Sequence, residues 1–200
     1  MKKEIWGPGN MLYPVPAVLV SCADRGGNRN LFTAAWTGTV CSDPAMLYVS
    51  VRPERWSYHM IEETGEFVVN LTTERLAYAA DLAGVTSGRN TDKWALLHLT
   101  PEESEKVRAP RIAECPVNLE CRVVRTIPLG SHTMFLAEVL AVLVDASLLD
   151  ERGKLDLGQA HLIAYSHGEY RSLGPVLGTF GFSVRKKKTK GEKTRGGRRK

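Results

Sequence analysis

A chain of 200 residues, with 43% hydrophobic and 24% charged residues, is long enough to fold as one domain around a buried core. Its formal net charge of +5 comes from the C-terminus: residues 185–200 hold ten basic residues and one glutamate, whereas residues 1–184 hold 17 basic and 21 acidic residues. This acidic body argues against a general polyanion-binding surface. No run approaches the roughly 20 apolar residues of a membrane-spanning helix, so none is predicted.

The two ends of the chain carry separate signals. The first residues, MKKEIWGPGN, lack the apolar core of a secretory signal, so we expect a cytoplasmic protein. Residues 185–200 contain no apolar residue and are expected to form a disordered basic tail after a folded domain over residues 1–184. Such a tail could contact nucleic acid or an anionic membrane, or it could be a solubilising extension. The extension is favoured, because no aromatic residues alternate with the charges.

The four cysteines give no sign of a metal site. No C-x-x-C pair is present, and Cys115 and Cys121 have no matching pair of histidines nearby. Cys22, Cys41 and Cys121 lie in apolar runs, where a reduced cysteine behaves as a small hydrophobic residue. We therefore expect buried thiols and no bound metal.

The predicted elements are mostly strands bounded by turn residues. A strand over residues 17–23 ends in the turn cluster DRGGNRN, and a second strand over residues 31–40 is followed by SDP. Ser57 and Gly65 are the predicted N-cap and stop of a short helix, and Thr73 and Gly84 flank a second helix. Further strands are predicted over residues 46–51, 66–71, 118–126 and 133–143, with a hairpin-like turn region over 145–158 and a closing segment over 165–173.

The order of these elements predicts a fold class. Strands in hairpin-type succession with few short helices favour a mainly β fold, an antiparallel closed or split barrel. The pattern lacks the alternation of strands with long helices that a doubly wound sheet requires, and it contains neither G-x-G-x-x-G nor a P-loop. A nucleotide cofactor would therefore not be bound on a Rossmann domain.

A candidate anion site lies where the strand ending at residue 51 meets the first predicted helix. Arg52 and Ser57 stand at this junction, where helix N–H groups and a guanidinium can bind a phosphate. The later loop SGRNTDKW adds Ser87, Arg89 and Lys93. Two separate cationic clusters favour a small phosphorylated ligand over a polymer, although solvated loop charges would give the same pattern.

Five motifs span nearly the whole predicted domain. They are N-x-x-x-A-x-W-T-G from Asn30 to Gly38, SVRPERWSYHMI, SGRNTDKW, GSHTMFLAEV and YSHGEYRSLG. In this order, over about residues 6–178, they resemble the flavin reductase-like family and, more narrowly, its flavoredoxin branch. The resemblance implies an FMN-binding split barrel that usually forms a homodimer, with NAD(P)H as electron donor.

The resemblance also implies roles for individual residues. Arg52, Ser57 and Lys93 would hold the FMN phosphate, and the main chain of residues 33–36 would contact the polar edge of the flavin. His132 and Trp36 are the catalytic candidates, beside the flavin and the reductant. The full implied cofactor-binding set is Asn30, Thr33, Ala34, Ala35, Trp36, Ser50, Val51, Arg52, Ser57, Ser87, Lys93, His132 and Tyr165.

Several of these residues could instead have a role that involves no ligand. Trp36 could belong to the barrel core, His132 could be a hydrogen-bonded structural residue, and Lys93 could be a solvated loop residue. Arg55 is predicted on the outer face of the helix, weakly paired with a glutamate of the same helix.

Two function classes follow. The first is an enzyme that uses NAD(P)H to reduce bound FMN and passes electrons to free flavin, ferric iron or a protein partner. The alternative is a flavoredoxin-type carrier that holds FMN and exchanges electrons between proteins without reducing pyridine nucleotide itself. A third and weaker hypothesis has the basic tail recruiting the protein to nucleic acid.

Overall fold

The computed structural model describes residues 1–185, so all of the predicted basic tail except Arg185 lies outside the described residues. Among them, no helix is long and apolar enough to span a bilayer. Four 3₁₀ turns cover Glu74–Leu76, Ala146–Leu148, Leu157–Ala160 and Phe182–Val184. The strands are β1 (Val15–Pro16), β2 (Val18–Ala23), β3 (Arg29–Ala34), β4 (Thr37–Ser42), β5 (Ala45–Val51), β6 (Glu66–Leu71), β7 (Pro101–Glu102), β8 (Arg111–Ile112), β9 (Val117–Pro128), β10 (Thr133–Val144), β11 (Ile163–Ser166) and β12 (Glu169–Ser172); the helices are α1 (Trp56–Thr64), α2 (Ala77–Val85) and α3 (Lys93–Leu97).

Seven strands form one antiparallel sheet in the order β3-β2-β6-β9-β10-β5-β4. Its two edge strands, β3 and β4, follow each other in the chain and are separated only by Ala35 and Trp36. Two residues cannot cross a flat seven-stranded sheet, which is roughly 29 Å wide at about 4.8 Å per strand. The sheet therefore curls until its two edge strands lie close together at this corner, without pairing with each other.

This closure confirms the predicted antiparallel split barrel and corrects one predicted strand. Residues 31–40 do not form a single strand, because the chain turns the barrel corner at Ala35 and Trp36. The amide of Ser50 donates to the carbonyl oxygen of Trp36 at 2.8 Å, which holds the corner against β5.

The interior of the barrel is apolar and is closed at one end by α1. Phe67 and Phe135 are fully buried inside, and Met60 and Ile61 of α1 pack into the same cluster. This packing fixes the position of α1. Its N-terminus is therefore held at the barrel rim, next to the end of β5.

Helices α2 and α3 cover the outer face of β2 and β3. Leu19 and Leu31 point outwards and pack against Ala83 of α2 and Trp94 of α3. Every residue of β2 is buried, because the barrel interior covers one face and the helices cover the other.

The outer face of the sheet also buries a polar side chain, Asn70 of β6. Its Nδ2 donates to the carbonyl oxygen of Leu19 and to the hydroxyl of Ser21, both at 3.0 Å. Its Oδ1 accepts from the amide of Ile112 at 3.0 Å and from Nδ2 of Asn118 at 2.8 Å. The side chain therefore joins three strands to the segment that carries β8.

Glu120 of β9 is buried on the same face. Its carboxylate accepts from the amides of Glu105 and Lys106 at 2.8 and 2.6 Å, so the charge is stabilised by two main-chain donors. We call Ser21, Asn70, Asn118 and Glu120 the outer polar cluster.

Cys22 and Cys121 are buried, as predicted, and Cys115 is buried as well, whereas the predicted burial of Cys41 is wrong. Burial raises the pKa of the Cys22, Cys115 and Cys121 thiols to about 12, so all three are un-ionised at neutral pH. Cys41 is only half-buried.

The predicted helix boundaries need two corrections. Arg55 is the N-cap residue of α1, and Ser57 lies buried inside the first turn, where its hydroxyl accepts a hydrogen bond from Asn30. The Ser57 N-cap is therefore wrong. Gly65, with a φ of 68°, ends α1 in the left-handed conformation as predicted.

The second predicted helix is also shifted. Thr73 precedes a 3₁₀ turn, and α2 continues through Gly84 to Val85, so Gly84 does not end it. The predicted hairpin-like turn over residues 145–158 is built from two 3₁₀ turns and one isolated bridge between Leu149 and Leu155.

Candidate functional site

Three adjoining cavities form a groove at the barrel rim, where β3, β4, β5 and α1 meet. The cationic cavity (about 420 Å³) contains Arg52, Arg55 and Lys93; the middle cavity (about 210 Å³) and the apolar cavity (about 310 Å³) follow it towards Trp36. The cationic and middle cavities share Phe32, Arg52 and Arg55, and the middle and apolar cavities share Ala35, Trp36, Ser50 and His132.

The groove brings together twelve of the thirteen predicted cofactor-binding residues. Tyr165 is the exception among them. The lining residues from that set are Asn30, Thr33, Ala34, Ala35, Trp36, Ser50, Val51, Arg52, Ser57, Ser87, Lys93 and His132.

The cationic cavity is built around the start of α1. Arg52 directly follows β5 and Arg55 caps the helix, so both guanidinium groups lie beside the first amide groups of α1, which have no partner within the helix. Glu54 is the one carboxylate among the described lining residues, and it lies 3.5 Å from Nη1 of Arg52. Excess positive charge at a helix N-terminus is an arrangement that binds anions.

The predicted pairing of Arg55 with a glutamate of α1 is wrong. Its Nη1 donates to the carbonyl oxygen of Gly84 at 3.1 Å, which ties the start of α1 to the end of α2. The guanidinium therefore lies on the groove side of the helix and lines two of the cavities.

Lys93 is held in the cavity by main-chain acceptors. The carboxylate of Asp92 caps α3, and Lys93, the first residue of that helix, is only 4% exposed. Its Nζ donates to the carbonyl oxygens of Leu31 at 2.9 Å and Ala83 at 2.7 Å. Burial, with the nearby charge of Arg55, lowers the pKa of Lys93 to about 8. Two of its three N–H groups thus have structural partners within the described chain, which leaves one for a ligand.

Asn30 and Ser57 form a buried pair at the floor of the cavity. Nδ2 of Asn30 donates to the Ser57 hydroxyl at 2.8 Å. Gly88 packs directly on the Asn30 side chain, since a Cβ at that position would lie 2.2 Å from Oδ1 of Asn30. Arg89, the next residue, lies over the ring of Trp56 at 5.5 Å. The loop over residues 87–90 is therefore fastened to both β3 and α1.

The middle cavity opens where the chain leaves β3. Because β3 is an edge strand, one row of its main-chain N–H and C=O groups is not used by the sheet. The hydroxyl of Thr33 donates to the carbonyl oxygen of Ala80, so Thr33 offers the groove only its main chain. Phe32 and Val51 supply apolar surface beside these groups. This combination suits a planar heterocycle with one polar edge.

His132 lies between the middle and apolar cavities, immediately before β10. Its Nδ1 is 2.9 Å from the hydroxyl of Ser131. Partial burial and the nearby charge of Arg52 lower the pKa of His132, so the ring is neutral at pH 7. In the tautomer in which Nδ1 accepts from the Ser131 hydroxyl, the ring proton is on Nε2, which can then donate a hydrogen bond.

Trp36 and Tyr165 are linked through a third aromatic ring. The ring of Tyr13 lies 6.2 Å from that of Trp36 and 6.1 Å from that of Tyr165. The pairing of β1 with β11, which places Val15 opposite Tyr165, brings these rings together. Within one chain, Tyr165 therefore supports Trp36 through Tyr13 and does not itself line the groove.

The sequence did not identify several lining residues. Arg55 had a signal, because it lies three residues after Arg52 in a motif already singled out, a spacing that one turn can bring together. Gly88 also lay in a recognised motif. The lining residues that were missed are Phe32, Glu54, Arg55, Trp56, Thr86 and Gly88 in the cationic and middle cavities, and Asn10, Leu12, Val15, Tyr48 and Leu129 in the apolar cavity.

Comparisons with known proteins agree with this fold. Residues 10–174 match the flavin reductase like domain, and the chain therefore belongs to the flavin reductase-like family, as predicted. An uncharacterised protein of Archaeoglobus fulgidus is 35% identical over 169 residues, which are 84% of this chain and 93% of that protein.

Two solved structures extend the likeness to flavoredoxins. The flavoredoxin of Desulfovibrio vulgaris (Miyazaki F) matches with a TM-score of 0.86 and 34% identity, over 92% of this chain and 100% of that chain. A flavoredoxin from Methanosarcina acetivorans matches with a TM-score of 0.82 and 27% identity, over the same shares of the two chains. The predicted similarity to flavoredoxins is confirmed.

Proposed function

We propose that the chain binds FMN in the groove and uses NAD(P)H to reduce it, passing the electrons to free flavin, ferric iron or a protein partner. The observation that carries the proposal is the succession of cavities: a cationic cavity at a helix N-terminus opens into a middle cavity beside an edge strand. A ligand with a phosphate at one end and a planar ring at the other matches this succession.

The residues of the cationic cavity fit the phosphate of FMN. A phosphate ester carries close to two negative charges at neutral pH. The side chains of Arg52, Arg55 and Lys93 supply three cations around the start of α1, against the single carboxylate of Glu54. Lys93 has one N–H left to donate to the phosphate. This imbalance supports a dianionic ligand group better than a neutral one.

The residues of the middle cavity fit the flavin ring. When bound, FMN supplies the hydride-accepting and electron-donating chemistry. The free main-chain groups of β3 would hold the polar edge of the ring, and Trp36 would flank one face. Neutral His132 would donate a hydrogen bond from Nε2. Because its ring is uncharged, it would bring no positive charge to the region where the flavin reacts.

Two features support different versions of this function. The apolar cavity beside Trp36 offers room for a nicotinamide ring next to the flavin, which favours a reductase. The likeness to two flavoredoxins favours an electron carrier that does not itself reduce pyridine nucleotide.

We also propose the homodimer that the family resemblance implies, which would cover exposed Val124 and Val142 on β9 and β10.

A spectroscopic titration separates these versions. The full chain is mixed with FMN, and the visible absorption is recorded without oxygen before and after NADH, NADPH and dithionite. Bleaching by a pyridine nucleotide supports the reductase, and bleaching by dithionite alone supports the carrier. A chain that does not bind FMN contradicts both.

Replacement of Arg52 tests the assignment of the phosphate. Arg52→Ala is expected to weaken FMN binding by about 1–3 kcal/mol, the cost of a lost charged hydrogen bond, and to leave riboflavin binding nearly unchanged. The matched control is Arg125→Ala, which removes an exposed arginine on β9. Equal losses for FMN and riboflavin would show that Arg52 does not contact the phosphate.

A further inference from the structure

We propose that the apolar cavity binds an electron acceptor, and that this acceptor is an uncharged, planar carbonyl compound of the quinone type. The inference rests on the proposed FMN site in the adjoining middle cavity, because the two cavities share Trp36, Ser50 and His132. A molecule in the apolar cavity would therefore lie directly beside the flavin ring.

The lining of the cavity selects against charge. Leu12, Val15, Leu129 and Trp36 line it together with the uncharged polar residues Asn10, Tyr48 and Ser50, and no lysine, arginine, aspartate or glutamate lines it among the described residues. A charged acceptor would lose its hydration there without gaining a partner of opposite charge. The cavity volume of about 310 Å³ is at the lower end of the roughly 300–1,000 Å³ of small-molecule sites, so it suits one or two rings.

One wall of the cavity is a fixed aromatic surface. Trp36 is half-buried and contacts Tyr13, whose ring also contacts Tyr165 and His167. Because Tyr13 packs against the indole and is itself held by two further rings, Trp36 presents a plane on which a flat ring can stack in an offset arrangement. A flat acceptor gains more from this surface than a bulky one.

His132 gives the cavity a directional donor at the boundary with the middle cavity, in addition to the hydroxyl of Ser50. The neutral ring can donate from Nε2 to a carbonyl oxygen of the acceptor and polarise it. A quinone takes up two electrons and two protons: a hydride equivalent from the reduced flavin and one proton from water, which gives the hydroquinone. Water supplies that proton, because a neutral imidazole does not release its remaining one near pH 7.

Duroquinone, a tetramethylated benzoquinone, is a suitable probe because its ring has no free position for a thiol. The full chain is loaded with FMN, and duroquinone binding is measured by equilibrium dialysis. We expect binding of duroquinone and little binding of tetramethylbenzoate, which has the same methylated ring and a carboxylate.

Leu129→Asp places a carboxylate in the cavity wall and is expected to weaken duroquinone binding about ten-fold or more, with FMN affinity retained. Leu129 is 56% exposed, and the matched control is Leu149→Asp, at a 41% exposed leucine in the 3₁₀ region. Leu12→Asp repeats the test at another lining residue if Leu129→Asp does not fold.

The outcomes separate the two proposals. FMN binding without duroquinone binding, or equal losses in the Leu129 and Leu149 variants, overturns the acceptor site and leaves the FMN site standing. Failure to bind FMN overturns both. His132→Phe adds a chemical test, since it should weaken binding of duroquinone and not that of tetramethylbenzene, which has no oxygen.

Discussion

The outer polar cluster and the cationic cavity are both polar, but the first is buried, whereas Arg52 and Arg55 of the second are exposed, and the two differ in how completely their hydrogen bonds are made. Asn70, on the outer face of β6, has protein partners for both its nitrogen and its oxygen, and Glu120 accepts from two amides. The cationic cavity instead gathers Arg52, Arg55 and Lys93 with one carboxylate.

This difference distinguishes a structural site from a binding site. A polar cluster whose donors and acceptors are matched inside the chain stabilises the fold and needs no ligand. A cluster with excess positive charge and free N–H groups at a helix start needs an anion to balance the charge and to accept hydrogen bonds from those groups. Lys93 belongs to both kinds, because two of its N–H groups bind main-chain oxygens and its charge faces the groove.

The largest expected effect comes from removing the centre of the outer polar cluster. Asn70→Ala leaves several buried partners without hydrogen bonds, among them the Ile112 amide, and should lower the free energy of unfolding by about 3–4 kcal/mol. Urea unfolding measures the loss. FMN affinity of the folded fraction should stay at the wild-type value, since Asn70 does not line the groove.

The control for this variant is Asn90→Ala, at an exposed asparagine, with an expected change of about 0.5 kcal/mol or less. A variant of Asn70 that kept its stability and lost FMN would show that the two clusters are not separate.

Much of the fold was predictable because it is encoded locally. The run EFVVNL predicted a strand over residues 66–71, and β6 has those bounds. The corner at Ala35 and Trp36 was not predictable, because neither residue is a turn former. The break is imposed by closure of the barrel, which depends on strands far away in the sequence.

The site follows the same rule: residues that are neighbours in the sequence were predicted, and contacts between distant residues were not. Arg52 and Ser57 were found because they are neighbours at a strand–helix junction. The double hydrogen bonding of Lys93 could not be found, since its acceptor Leu31 is 62 residues away. Arg55 was misread for a related reason: its partner, the carbonyl oxygen of Gly84, lies at the end of another helix.

A pH titration tests the double role of Lys93. Its pKa of about 8 means that the free protein loses the Lys93 charge above pH 8, while the FMN phosphate keeps its charge. FMN affinity should therefore fall above pH 8, at most about ten-fold per pH unit. Flavin fluorescence measures it, and Lys93→Met, which has a similar volume and no charge, should show weaker binding and no such fall.

The stability of the unliganded protein should change with pH in the opposite direction to the FMN affinity. The pKa of Lys93 is lower in the folded chain than the usual 10.5, so between pH 8 and 10.5 the unfolded chain binds more protons. The contribution of Lys93 to the free energy of unfolding therefore rises with pH in that window. Affinity and stability that fell together above pH 8 would point to general unfolding and contradict this assignment.

The smallest expected effect comes from the contact between the loop over residues 87–90 and α1. Arg89 lies over the exposed side of Trp56, and a cation–π contact at such a site contributes about 0.5–1 kcal/mol. Arg89→Ala should weaken FMN binding by about that amount, because the loop would close less firmly over the cationic cavity, while the unfolding free energy hardly changes. Arg89→Lys, which keeps the charge and loses the planar stacking, separates the two contributions. If the lysine variant binds FMN like wild type, charge alone matters. If it binds like the alanine variant, the stacking on Trp56 holds the loop, and the cationic cavity is shaped by packing as well as by charge.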